Sequence, residues 1–146
     1  MDRAWNYQAS KHYLVQCSAM RSTDADTLTK RTQNLGQVFV RVENIFAEGP
    51  YFHGQALSNV DIAWLPLLHR AAIIQKYTQY DFLQNFPKVQ SWQSALLATG
   101  LAEKSVAADF DAEFSGFYLS NETYLGQGVN CSKTADEVCG TSSCCG

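Results

Sequence analysis

The segment from Leu57 to Ile74 constrains the fold more than any other part of the chain. Ser58 and Asp61 have the spacing of a capping box, with Asp where Glu or Gln is usual, and Leu57 and Ile62 have the spacing of a hydrophobic staple. A helix of about Asn59 to Tyr77 follows. It is apolar on nearly every side from Ile62 to Leu68 and again from Ala71 to Ile74. A helix without a polar face is stable only when other elements surround it. Pro66 lies inside it and is expected to remove one backbone hydrogen bond and bend it.

The rest of the chain supplies the surrounding elements. A first helix is expected from about Arg3 to Met20, where Trp5, Ala9, Tyr13 and Cys17 recur every fourth residue. His12, Gln16 and Met20 lie close to that stripe. Ser22, Thr23 and Asp24 suit a turn and a helix cap. A second helix runs from about Asp24 to Ala47, with a one-sided stripe that includes Leu28, Leu35, Phe39 and Val42, and Gly49-Pro50 stops it. A fourth begins at Pro87, carries Val89, Trp92, Leu96 and Leu97, and ends at Gly100. A fifth is expected from about Lys104 to Leu119, with Val106, Phe110, Phe114 and Phe117 or Tyr118 on one side. No alternating strand pattern of useful length and no internal repeat occurs. The expectation is an all-α bundle of about five helices over residues 1–125, followed by a flexible cysteine-rich tail over 126–146.

Taken in order, these signals carry a family resemblance. Arg3-Ala4-Trp5, Glu48-Gly49-Pro50-Tyr51-Phe52-His53-Gly54, Leu57-Ser58-Asn59-Val60-Asp61-Ile62-Ala63, Pro66-Leu67-Leu68-His69-Arg70 and Phe86-Pro87-Lys88-Val89-Gln90-Ser91-Trp92 together resemble the C-terminal helical domain of cytosolic glutathione transferases. The resemblance covers roughly residues 2 to 120, with a cysteine-type or omega-like flavour. In that family about eighty residues of thioredoxin-like fold precede this domain and hold both the glutathione site and the catalytic residue. Here Met1 stands almost directly before the first helix. No catalytic residue is therefore carried over, and this half is expected to be inactive alone. What the resemblance implies is a wall for a hydrophobic electrophile and a surface for a thioredoxin-like domain or a second copy. Glutathione would serve as co-substrate only when a thioredoxin-like half is supplied, and the joint chemistry would be detoxifying conjugation. A non-enzymatic interaction module of the same fold is the main alternative.

Composition narrows the field further. The net charge is −3 and no run of like charge occurs, which speaks against nucleic-acid and anionic-membrane partners. No apolar run is long enough to span a bilayer, and no signal peptide is visible, so a cytoplasmic location is expected. The sequons at Asn121 and Asn130 are accordingly read as chance.

Few side chains suggest chemistry. By the resemblance, Trp5 and Tyr13 would line the hydrophobic pocket, where aromatic rings stack on flat electrophiles. Ser58 and Asp61, with Leu57 and Ile62, are assigned to helix capping rather than catalysis. Cys17 reads as a small core hydrophobe, and His69 as a packed residue with no nucleophile beside it. Cys131, Cys139, Cys144 and Cys145 lie in the last sixteen residues. Four thiols there are candidate ligands for a soft metal or metalloid, although no C-x-x-C spacing occurs.

Overall fold

A computed structural model describes residues 2–120 and 122–127. Its helices are α1 (Asp2–Met20), α2 (Ala25–Ile45), α3 (Asn59–Thr78), α4 (Pro87–Ala98), α5 (Leu101–Lys104) and α6 (Phe110–Tyr118). Among the described residues there is no strand, only an isolated bridge between Tyr51 and Gly54. No described helix is long and apolar enough to cross a membrane.

Helix α3 is central, as its apolar circumference requires. It packs against α1, α4, α5 and α6, and α1 also packs along α2. Val60, Trp64, Leu68 and Ile74 on α3 are fully buried. Ile62 and Pro66 face outward, so the helix is less evenly enclosed than its composition suggests.

The N-terminus of α3 organises the loop before it. One Asp61 carboxylate oxygen accepts from the Ser58 N–H and hydroxyl, both at 2.7 Å. The other accepts from the Phe52 N–H at 2.9 Å and from the Trp92 Nε1–H at 2.7 Å. The capping box is thus present, and Asp61 also ties the 51–54 turn and α4 to α3. That turn needs Gly49, whose φ of 139° is foreign to other residues and where a Cβ would sit 2.5 Å from the Gly54 carbonyl oxygen. The turn delivers Phe52 into an aromatic core. There Trp64 and Trp92 lie 5.9 Å apart, and Phe52 lies 5.6 Å from Trp92. Leu57 and Ile62, the expected staple, remain 41% and 46% exposed.

Three further details refine the reading of the sequence. Asp24 caps α2, accepting from the Thr27 N–H at 2.8 Å and the Thr27 hydroxyl at 3.0 Å. On α1 the most buried line is Ala9, His12, Gln16, Ala19 and Met20, whereas Trp5, Tyr13 and Cys17 form its half-buried flank. The helix expected from Lys104 to Leu119 begins only at Phe110, and a short helix that was not expected, α5, lies before it. Gly100, at φ 74°, starts the short α5. The Ser105 hydroxyl then donates to the Ala102 carbonyl at 2.7 Å, which closes α5. A turn bonded from Phe110 N–H to Ala107 O leads into α6.

Candidate functional site

The C-terminal half of α3 presents His69 and Arg70 towards α1 and α6. The Arg70 guanidinium lies 4.4 Å from the centre of the Phe110 ring and 5.7 Å from that of Tyr13. His69 stacks on Phe110 at 5.8 Å, and its Nδ1 accepts from Arg70 Nη1 at 3.4 Å. Three helices thus bring an imidazole, a guanidinium and two aromatic rings into one cluster. The Arg70 Nε is buried and has no hydrogen-bond partner among the described residues. No described carboxylate lies within ion-pair distance of Arg70. Its guanidinium lies instead near the faces of two aromatic rings.

Beside this cluster is a cleft of about 190 Å³ lined by His69, Glu103, Val106, Ala107, Ala108, Phe110 and Asp111. The non-helical segment between α5 and α6 supplies Val106, Ala107 and Ala108 of that lining, so the late start of α6 shapes the cleft. Burial, reinforced by the neighbouring Arg70 charge, holds the His69 pKa below its ordinary value. The imidazole is therefore largely neutral near pH 7. Asp111 accepts from the Tyr77 hydroxyl at 2.5 Å and from Lys76 Nζ at 3.2 Å. The bond from Tyr77 comes first among the causes that hold its carboxyl below the usual range. None of the lining side chains is a hydroxyl or thiol nucleophile. His69 and Phe110 give the cleft stacked ring surface, and Glu103 and Asp111 give it acidic walls.

The residues singled out from the sequence fall in different places. Tyr13 joins the Arg70 cluster. Trp5 sits about two turns away along α1, with its ring 5.3 Å from Phe52 and 6.4 Å from Trp64. Its carbonyl accepts from Trp64 Nε1 at 3.1 Å, a packing position between α1, α3 and the 51–54 turn. Neither Trp5 nor Tyr13 lines the cleft beside His69. Ser58 and Asp61 are capping residues at the opposite end of α3. Cys17 is half-buried against the core and faces Tyr118. Burial, followed by the hydrogen bond with Cys17, pushes the Tyr118 hydroxyl up to about 12. Cys131, Cys139, Cys144 and Cys145 lie outside the described residues. No group of three or more His, Cys, Asp or Glu side chains arranged for a metal ion occurs among the described residues.

The sequence reading missed Arg70 and Phe110 as partners. Forty residues separate them, and neither stands in a motif that announces the pairing. The run His69-Arg70 interrupting an apolar helix was the available signal, since a cation on a buried helix needs a compensating neighbour.

The family described as glutathione S-transferase, C-terminal domain, matches residues 11–107 of the chain. No curated protein and no solved structure gives a match.

Proposed function

The chain belongs to the glutathione S-transferase C-terminal domain family, and from that premise we propose that it forms the electrophile-holding half of a two-part glutathione transferase. The observation that carries the reading is the Phe110 ring, which lines a small cleft and has the Arg70 guanidinium 4.4 Å from its centre. Such a wall would hold an electron-poor aromatic ring and a developing negative charge. The attacking glutathione thiolate would come from a thioredoxin-like domain, which lowers the thiol's pKa. Leu57 and Ile62, apolar and exposed where α3 begins, are candidates for the surface that receives that domain.

The test combines the chain with a separately produced thioredoxin-like, glutathione-binding domain and follows conjugation of glutathione to a chlorinated dinitrobenzene. The mixture is expected to exceed the sum of the two parts. Arg70→Leu is expected to raise KM for the electrophile about tenfold, the loss of roughly 1.4 kcal/mol of binding. A complex that forms without any gain in conjugation would instead favour the non-enzymatic interaction module. Equal rates with and without the chain, together with no complex, would overturn both readings.

A further inference from the structure

A second cleft, of about 360 Å³, opens between the middle of α2 and the connection from α3 to α4. It shares no lining residue with the cleft beside His69. Gly36 lies in its wall. A glycine inside a helix costs roughly 0.5–1 kcal/mol relative to alanine, yet a Cβ built on Gly36 meets nothing within 4 Å. The space beside Gly36 is therefore open to the cleft rather than filled by the bundle.

The rim carries three carboxamides, Gln79, Gln84 and Asn85. Their side chains are exposed and make no hydrogen bond among the described residues. Gln79 closes α3 as its left-handed C-cap, with a φ of 65° and its N–H bonded to the Gln75 carbonyl at 3.0 Å. Asp81 is the only charged lining residue, and both its oxygens are engaged, by the Leu83 N–H at 2.8 Å and by Gln75 Nε2 at 3.4 Å. Half-buried Tyr80 and Phe86 add aromatic surface.

We propose that this cleft binds a neutral purine base or nucleoside. A carboxamide offers a donor beside an acceptor, which matches the adjacent donor and acceptor on a purine edge. Aromatic rings accept the flat face of a base. The lining carries no Lys, Arg or His, which favours a neutral ligand over a nucleotide or a nucleic acid strand. The volume lies at the small end of the range for ligand clefts, about 300–1,000 Å³. This site is independent of glutathione chemistry, so it stands or falls separately from the transferase reading.

The test is calorimetric titration of the full chain with adenosine and guanosine, with AMP and glucose as comparison ligands. Saturable binding of a nucleoside near one per chain is expected, with AMP no tighter than adenosine and glucose much weaker. Gly36→Leu, which fills the cleft, and the double variant Gln84→Ala/Asn85→Ala should each weaken binding at least about tenfold. Gly36→Leu should keep or raise the melting temperature, and the double variant alters exposed side chains only, so loss of binding is separable from loss of fold. No saturable nucleoside binding up to millimolar concentration would overturn the proposal. So would affinity unchanged in both variants, glucose bound as tightly as adenosine, or AMP bound much more tightly than adenosine.

Discussion

Four donors converge on the Asp61 carboxylate, from the 51–54 turn, from Ser58 and from α4. The spacing of Ser58 and Asp61 announced the half of this arrangement that lies within one turn of helix. The other half joins Asp61 to Trp92, and no local pattern reports a bond between residues so far apart in sequence. Asp61→Asn retains the shape but turns one acceptor into a donor facing donors, leaving at least one buried N–H unpaired. The expected loss is about 2–3 kcal/mol of unfolding free energy, read by urea denaturation with tryptophan fluorescence. Ser58→Ala should cost only about 1 kcal/mol. Equal losses in the two variants would mean that Asp61 acts as a local cap alone.

Among the elements, α2, α3 and α4 were legible because their ends carry chemistry with a fixed offset: Asp24 before α2, Ser58 before α3, Pro87 at the start of α4. The late start of α6 was not, because Phe110, Phe114 and Tyr118 keep a helical period that extends backwards past it. What ends α5 is one hydroxyl, that of Ser105, which captures a carbonyl of its own turn. The buried line on α1 was only partly legible for a related reason. Its members include His12 and Gln16, whose polarity hides their burial; Gln16 satisfies its amide by donating to the Leu67 carbonyl at 3.0 Å. A direct test at this scale is Gly36→Ala in α2, where the added methyl meets nothing. Stability should rise by roughly 0.5–1 kcal/mol, visible as a higher urea midpoint at unchanged slope. A fall would show that the space beside Gly36 is closed in solution.

At the scale of the whole molecule, two histidines make stability depend on pH. Burial depresses the pKa of both His12 and His69 below 6.5 in the folded chain. The unfolded chain then binds more protons than the native one at pH values between the depressed and the ordinary values. Stability should be level above about pH 6.5 and fall as the pH drops below it. Asp24 and Asp111, held below 3.8, contribute only in a separate and more acidic window. Urea midpoints from pH 7.5 to 5 check the sign, and a double variant, His12→Gln/His69→Gln, should flatten the slope. A midpoint that rises on acidification would contradict the burial of neutral imidazoles.

The family was legible in the ordered motifs from Glu48 to Trp92, most of which are structural, so the sequence spoke clearly about fold. It spoke less about the candidate site, whose parts come from three helices and whose cleft depends on the late start of α6. The central claim is that this bundle holds an electrophile and takes its glutathione from a partner domain. Calorimetric titration of the fully reduced chain with glutathione tests it most directly. No saturable binding is expected up to millimolar glutathione. Saturable binding near one glutathione per chain would contradict it, because the bundle would then carry a glutathione site of its own.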